Sequence, residues 1–127
     1  METISTTDAP VPAGHYSQAV IHNGLVFVSG QLAVDAATGR KYAGTIEQQT
    51  RIALENVAAI LRAAGSDVDQ VLKTTVYISD IELWSRVNDV YAEFFGSHRP
   101  ARAVVPTRDL HYGFQVEIEA IASVRDD

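Results

Sequence analysis

The sequence contains no cysteine, and it has little of several other residues that mark a specialised class of protein. Its 127 residues include no Cys, one Met, one Trp and four Pro. The absence of cysteine excludes a disulfide framework, a thiolate metal site and a cysteine nucleophile, and it suits an intracellular protein. Stability must therefore come from packing. A chain of this length buries about two-thirds of its unfolded surface as one domain, which we predict over 1–127.

Long apolar runs, clustered basic residues and grouped metal ligands are missing too. No basic region followed by an apolar run opens the sequence, and no stretch reaches membrane-spanning length. The net charge is −6, from sixteen acidic and ten scattered basic residues, whereas nucleic-acid binding depends on clustered Lys and Arg. The four histidines form no pair at i, i+4 spacing. We expect a cytoplasmic protein that binds neither membrane, nucleic acid nor metal.

The first third of the chain predicts an arm followed by a β-hairpin. Residues 1–12, rich in Thr, Ala and Pro, are expected to form an extended N-terminal arm. The dipeptide Asn23-Gly24 separates two apolar runs, which is typical of a hairpin with a two-residue turn. The turn-rich segment that follows has room for a short third strand around Lys41 and Tyr42.

The remainder of the chain alternates between helices and strands. Thr45 and Gln48 form a capping box at the start of a helix that ends at Gly65. Asp80 is a candidate N-cap for a second helix that ends at Gly96. That helix has an apolar stripe of Trp84, Val87, Tyr91 and Phe94. Strands are predicted within DQVLKTTVYISD, ARAVVP and FQVEIEAIA.

This order of elements indicates an α+β fold: a single mixed β-sheet of five to six strands with two helices packed on one face. The opposite face is not reliably polar, because either Val26 with Val28 or Leu25 with Phe27 must point there. A monomer would expose an apolar patch. We therefore expect a homo-oligomer in which the sheet faces turn inward.

Arg102 and a pair of glutamates are the strongest candidates for chemistry. Arg102 lies among small and apolar residues, where a guanidinium can grip a carboxylate through two parallel hydrogen bonds. A structural ion pair with Glu117 or Glu119 is equally compatible with the sequence. The two glutamates share one strand face, where their proximity can raise a pKa and suit acid-base chemistry. Solvated carboxylates are the alternative, although Ile121 on the same face argues against it.

The two ends of the predicted hairpin carry further candidates. Gly30, next to Ser29, could let the backbone approach a small ligand, and Tyr16 could donate a hydrogen bond to it. A bulge glycine and a strand-end aromatic are the structural alternatives. These residues alone indicate an acidic α+β oligomer in which an Arg and a carboxylate could share a pocket.

Seven segments between Pro10 and Val124 add a more specific indication. They are GHYSQAV, VFVSGQLAVDAATG, QTRIALENVAAILRAAG, VLKTTVYISD, VNDVYAEFF, PARAVV and VEIEAIA. In the order of these segments, and approximately in their spacing, the chain resembles the RidA family. Members of this family are reactive intermediate or imine deaminases, once labelled endoribonuclease L-PSP. The resemblance implies a chorismate mutase-like fold assembled as a homotrimer around a central barrel-like core, with sites in the clefts between subunits.

The resemblance also implies an activity and a set of site residues. Family members of this type hydrolyse enamines and imines such as 2-aminoacrylate and 2-iminopropionate to 2-oxo acids and ammonia, without a metal or cofactor. The implied catalytic residues are Arg102, which clamps the substrate carboxylate, Glu117, which positions or activates water, and Tyr16. The implied substrate-binding residues are Arg102, Ser29, Gly30, Asn88 and Val104.

Some positions depart from the family pattern and keep other functions open. His15 stands where proline is frequent, Val104 where some members have cysteine, and His111 and Tyr112 belong to LHYG in place of Leu-Pro-x-Gly. These changes bear on substrate preference, so deamination of another enamine such as 2-aminomuconate is an alternative. A non-catalytic trimer that binds small carboxylates or acts as a chaperone is another. Ribonuclease activity fits poorly with the charge of −6.

Overall fold

The helices and strands follow the order that the sequence predicts, with one short strand added at the start. The computed structural model describes residues 1–125. The strands are β1 (Glu2–Ile4), β2 (Ala19–His22), β3 (Leu25–Gln31), β4 (Val71–Ile78), β5 (Ala101–Pro106) and β6 (Val116–Ser123). The α-helices are α1 (Ile46–Ala63) and α2 (Trp84–Phe95). Short 3-10 helices cover Val68–Gln70, Ile81–Leu83 and His111–Gly113.

The six strands form one mixed sheet in the order β1-β2-β3-β6-β4-β5. Strands β4 and β5 are parallel, and the other neighbouring pairs are antiparallel. Both helices pack on one face, where the apolar core lies. The predicted single mixed sheet with two helices on one face is therefore confirmed.

The β2–β3 hairpin determines which residues of β3 face the helices. Asn23 and Gly24 have φ of 50° and 76°, as the two central residues of a type I′ turn require. The resulting register buries Val26 and Val28 beneath the helices and leaves Phe27 on the opposite face, 43% exposed. Of the two alternatives considered for that face, Leu25 with Phe27 is the one observed.

Helix α1 begins and packs as the sequence predicts. The Thr45 hydroxyl accepts a hydrogen bond from the Gln48 amide, and the Gln48 side chain accepts one from the Thr45 amide, which completes the capping box. Gly65 follows the helix with φ of 80°. The predicted apolar face is buried against the sheet and consists of Ile46, Ala53, Val57, Ile60 and Ala64.

Helix α2 differs in detail from the expectation. Asp80 caps the 3-10 helix that precedes α2 and not α2 itself. The predicted stripe is half right, because Val87 and Tyr91 are buried whereas Trp84 is 40% exposed. Val90 and Phe95 complete the buried face. Within residues 1–125, no helix combines the length and the apolar character that crossing a membrane requires.

The sixth strand of the sheet is not the one around Lys41 and Tyr42. Only an isolated bridge joins Val34 to Lys41, so no third strand forms there. The sixth strand is β1, which pairs with β2 inside the segment expected to be an extended arm. The Gln18 side chain anchors that segment. Its amide accepts a hydrogen bond from the Thr6 N–H (2.7 Å) and donates to carbonyl oxygens of Thr6, Ala9 and Pro10.

The face of the sheet away from the helices, called the open face here, is partly apolar. Phe27 pairs with Ile121 across β3 and β6 on this face. Val105 lies on the same face at the β5 edge and is 37% exposed. Large exposed apolar side chains on one face are typical of a surface that another chain covers.

Candidate functional site

A cleft of about 520 Å³ on the open face contains four of the predicted site residues, Tyr16, Ser29, Gly30 and Glu117. We call it the Glu117 cleft. Strand alternation positions Glu117, because Val116 and Ile118 are fully buried on the other side of β6. The rest of the lining comes from Ala13, Gly14, Leu32, His111, Tyr112 and Glu119.

The carboxyl group of Glu117 is poorly solvated for an ionisable group. Burial raises the pKa of Glu117 above its ordinary value; the charge of His111 opposes this effect, and the charge of Glu119 adds to it. Gly30 packs directly against the carboxyl group, since a Cβ atom at Gly30 would lie only 2.5 Å from Glu117 Oε2. A carboxyl group whose pKa is raised by burial in a cleft is a candidate for acid-base chemistry.

The two glutamates of β6 have different surroundings. Glu119 Oε1 accepts a hydrogen bond of 2.8 Å from the Tyr77 hydroxyl, and this bond raises the pKa of Tyr77. Tyr77 and Glu117 are directly paired across β4 and β6, so all three side chains share the open face. Both glutamates line the cleft, but Glu119 is engaged by Tyr77, which leaves Glu117 as the candidate base of the pair.

Tyr16 and Ser29 line the cleft through contacts that fix its rim. The Ser29 hydroxyl donates to the Ser17 carbonyl oxygen (2.6 Å), and the Ser29 amide donates to the Gln18 carbonyl oxygen (2.9 Å). The Tyr16 hydroxyl accepts a hydrogen bond from the Ala13 amide (3.2 Å) and is half-exposed. The Tyr16 hydroxyl can still donate its own proton to a ligand.

Arg102 lies in a different pocket, on the helix-covered face at the β5 edge. Its Nη1 donates a hydrogen bond of 2.9 Å to Asn88 Oδ1 of α2. Its guanidinium lies 4.7 Å from the ring centre of Tyr91 and 5.7 Å from that of Trp84. Val104, two residues further along β5, packs against the core. Arg102, Asn88 and Tyr91 line a pocket of about 500 Å³, which we call the Arg102 pocket; Val104 is not part of its lining.

The guanidinium of Arg102 is held on one side and open on the other. No carboxylate within residues 1–125 forms a salt bridge with it. Burial raises the pKa of Tyr91, whereas the hydrogen bond from Thr74 and the nearby positive charge of Arg102 lower it. Asn88 and two aromatic rings thus orient a cation whose remaining N–H groups are free to bind an anion.

The alternative interpretation of Arg102, an ion pair with Glu117 or Glu119, is not observed within one chain. Strand β4 separates β5 from β6, and Arg102 pairs with Thr74, which is buried beneath the helices. Glu117 pairs instead with Tyr77 on the open face. One chain therefore presents the guanidinium and the carboxylate on opposite faces of its sheet and does not bring them into one pocket.

Sequence reasoning missed the aromatic support of Arg102, although a signal for it exists. Trp84, Asn88 and Tyr91 recur at i, i+4 and i+7, which places them along one side of α2. The contact of Lys41 Nζ with the Tyr112 ring, 4.5 Å from its centre, had no comparable signal because it joins two loops. Within the described chain, no group of three His, Asp or Glu side chains is arranged to hold a metal ion.

The fold and the two polar pockets define a small α+β protein that presents an arginine and a glutamate in separate clefts of its sheet. A family model described as Endoribonuclease L-PSP matches residues 6–124. The chain therefore belongs to this family, the RidA family that its sequence motifs indicate.

Several relatives resemble the chain over nearly its whole length. A 2-iminobutanoate/2-iminopropanoate deaminase of Bos taurus is 46% identical over 119 residues, which cover 94% of this chain and 87% of the relative. A RutC family protein of Pyrococcus horikoshii is 46% identical over 121 residues, covering 95% and 96%. The crystal structure of E. coli TdcF with bound serine superposes with a TM-score of 0.92 at 40% identity, covering 99% and 100%.

Proposed function

We propose that this protein is a cofactor-independent deaminase that hydrolyses small 2-imino and 2-enamino acids, such as 2-iminopropionate and 2-aminoacrylate, to 2-oxo acids and ammonia. The observation that carries the proposal is the guanidinium of Arg102, which Asn88 and Tyr91 hold in place and which forms no salt bridge with a carboxylate of residues 1–125. The names of relatives such as the Bos taurus deaminase support the same reaction. A bound serine in TdcF indicates that a related protein accepts a ligand of this size.

Arg102 would bind the substrate carboxylate. A planar guanidinium can donate two parallel hydrogen bonds to a carboxylate, which fixes both the position and the orientation of a small substrate. Asn88 already occupies one N–H group of Arg102 and restrains its rotation. Val104, on the same face of β5, would form an apolar wall beside the bound acid. The imine carbon would thus be held where a water molecule can reach it.

Glu117 would activate that water molecule. Its carboxylate accepts a proton as the water oxygen attacks the imine carbon, and it returns a proton to nitrogen when ammonia leaves. The raised pKa of Glu117, caused first by burial, brings its proton exchange closer to neutral pH. Ser29 and Gly30 would form the backbone wall of this cleft, and the Tyr16 hydroxyl would donate a hydrogen bond to the tetrahedral carbinolamine.

Each site would be assembled from two chains of a homotrimer. Arg102 and Glu117 lie on opposite faces of one sheet, so a substrate that contacts both requires Arg102 from one subunit and Glu117 from a neighbour. The partly apolar open face, with Phe27, Ile121 and Val105, supports an assembly that turns these faces inward. The β5 edge that carries Arg102 would then adjoin the Glu117 cleft of the next subunit.

The proposal predicts that Glu117→Gln abolishes most activity whereas Glu119→Gln retains it. Gln cannot accept the proton from water, so the protein-dependent hydrolysis rate is expected to fall by about 100-fold, at the lower end of what general bases contribute. Glu119→Gln keeps an oxygen acceptor for the Tyr77 hydroxyl and is expected to change the rate only a few-fold. The assay generates 2-iminopropionate in place and follows its disappearance above the rate in buffer.

The matched pair separates catalysis from binding. Equal loss in both variants would contradict the role of Glu117. If wild-type protein binds 2-oxo acids in calorimetry but accelerates hydrolysis of no imine in a substrate panel, the protein is a carboxylate-binding module. A panel that includes 2-aminomuconate also tests the alternative of a larger enamine substrate.

A second prediction concerns the close contact between Gly30 and Glu117. Gly30→Ala would place a Cβ atom 2.5 Å from Glu117 Oε2, so the carboxylate must move away from its position over the backbone. We expect Gly30→Ala to lose at least tenfold in hydrolysis rate, since misplacement of a catalytic group by about 1 Å is costly. Gly14→Ala in the same cleft is the control, because its Cβ would meet Tyr16 only at an ordinary 3.5 Å. Full activity of Gly30→Ala would refute this positioning.

A further inference from the structure

The Glu117 cleft contains a second side chain that can exchange a proton, the imidazole of His111. His111 begins the 3-10 helix His111–Gly113 and lines the cleft together with Glu117. Among residues 1–125, it contributes the only imidazole to this lining. Imidazole is the side-chain group that ordinarily changes charge between pH 5 and pH 8. The roles proposed above leave this group unused.

The turn that carries His111 is fixed from both sides. Tyr112 has φ of 60° and Gly113 has φ of 76°, a left-handed conformation that is rare for an aromatic residue. The Phe114 amide closes the turn by donating to the His111 carbonyl oxygen (3.1 Å). The Tyr112 ring is 57% exposed, with Lys41 Nζ 4.5 Å from its centre and the ring of Phe114 edge-on at 6.2 Å between ring centres. These contacts hold His111 at the cleft wall.

His111 and Glu117 interact electrostatically. Burial is the main cause that raises the pKa of Glu117, and the positive charge of His111 is the main cause that opposes it. Glu119 also faces the cleft, but its carboxylate is engaged by Tyr77. The other charged or titratable groups around His111 are Tyr16 and Tyr112 in the lining, Lys41 over the Tyr112 ring, and Arg108 and Asp109 on the preceding loop.

We propose that His111 is a further catalytic residue, the group that exchanges protons with the imine nitrogen and the carbinolamine hydroxyl. This inference rests on the deaminase function proposed above. In the addition step, the water oxygen bonds to the imine carbon and gives a proton to the Glu117 carboxylate. The imidazolium of His111 gives a proton to the nitrogen as the C=N π bond opens. The products of this step are the neutral carbinolamine, protonated Glu117 and neutral His111.

The collapse step restores both groups. The Glu117 carboxyl group gives its proton to the amine nitrogen, and the C–N bond breaks with its electron pair leaving on ammonia. The neutral imidazole of His111 takes the hydroxyl proton as the carbonyl forms. The sum of the two steps is imine plus water giving 2-oxo acid plus ammonia, with the carboxylate and the imidazolium regenerated.

The pH profile of the hydrolysis rate tests this role. A base that must be ionised and an acid that must be protonated give a rate that rises and then falls as the pH increases, and the wild-type profile is expected to show both limbs. His111→Gln keeps a side chain of similar size with a hydrogen-bond donor. In this variant, the decrease in rate at high pH that the enzyme causes, the falling limb of the profile, should disappear. The titration of the substrate is common to both proteins, so the difference between their profiles reports on His111. We expect about 100-fold lower activity at the wild-type optimum.

Chemical rescue distinguishes proton transfer from a structural role. His111→Ala leaves space at the exposed cleft wall. Added imidazole is therefore expected to raise the hydrolysis rate of this variant at least tenfold, in proportion to the protonated fraction of the added imidazole. His22→Gln, an exposed histidine on β2, is the control and should keep wild-type activity and profile. Circular dichroism and size-exclusion chromatography of each variant test whether its folding and its oligomeric state are intact.

The outcomes separate this inference from the proposed function. If the wild type accelerates imine hydrolysis and His111→Gln keeps both the rate and the falling limb, the inference is wrong and the deaminase function stands. An inactive His111→Ala that imidazole does not rescue also contradicts proton transfer by His111. If the wild type accelerates no imine hydrolysis, the proposed function itself fails, and the inference fails with it.

Discussion

Replacement of Arg102 by Ala is expected to reduce protein-dependent imine hydrolysis by about 100-fold while the oligomer persists. Two hydrogen bonds from a guanidinium to a carboxylate, each worth about 1.5–3 kcal/mol, would be lost, and about 3 kcal/mol corresponds to roughly 100-fold in rate. The loss is expected mainly in kcat/KM measured with 2-iminopropionate. Arg102→Lys should recover only part of it, because an ammonium keeps the charge but not the planar pair of donors.

The control for this prediction is Arg51→Ala. Arg51 pairs with Glu93 at 3.4 Å on the exposed side of the helices, so its removal deletes one cation at little cost in stability. We expect wild-type activity from Arg51→Ala. Unchanged activity of Arg102→Ala, with an intact oligomer in size-exclusion chromatography, would overturn the assignment of the carboxylate site.

Chains carrying Arg102→Ala and chains carrying Glu117→Gln are each expected to be inactive, yet mixed oligomers of the two should hydrolyse imines. If each site takes Arg102 from one subunit and Glu117 from its neighbour, a mixed trimer contains one site in which both Arg102 and Glu117 are unaltered. Co-expression with two different affinity tags, followed by purification on both, isolates mixed trimers. Their activity should be about one third of the wild-type value per trimer.

This measurement distinguishes a site between subunits from a site within one chain, because the two arrangements predict different activities for mixed trimers. A site built within one chain would contain one altered residue in every subunit, and mixing would restore nothing. The control is a two-tag trimer in which all subunits carry Arg102→Ala, which should stay inactive. Activity that returns in this control would point to contamination by wild-type protein and not to complementation.

Local signals in the sequence predicted most of the fold. The Asn23-Gly24 turn and the Thr45 and Gln48 capping box each depend on residues close in sequence, and both are observed. The alternation in β6 is equally local, and it buries Val116 and Ile118 while Glu117 and Glu119 share the other face. Such features are predictable because their hydrogen bonds and their alternation of buried and exposed residues depend only on residues that are close in sequence.

Elements held by distant contacts were not predictable. Strand β1 has only three residues, and the contact that holds the arm comes from Gln18, which is far along the chain. The segment around Lys41 and Tyr42 has suitable residues for a strand but meets only Val34 in a single bridge. Local propensity therefore favoured the wrong candidate for the sixth strand.

Motifs in the sequence predicted the candidate site residues, whereas their arrangement could not be predicted. The sequence could not determine whether Arg102 and Glu117 share a face, because this depends on the register of β5 against β4 and of β4 against β6. A shift of one residue in either pairing would reverse the answer. The separation of the two residues is the feature that makes a site between subunits the natural expectation.

The anchoring of the N-terminal segment by Gln18 has a consequence for local opening of the protein. One amide side chain bonds the backbone of Thr6, Ala9 and Pro10, so these backbone groups lose their partners together when Gln18 moves. Pro10 also borders a second cleft that shares Tyr16 and Gly30 with the Glu117 cleft. We therefore expect the segment to open as a small cooperative unit at a free energy below that of global unfolding. A ligand held at the cleft should then slow amide hydrogen exchange at Thr6.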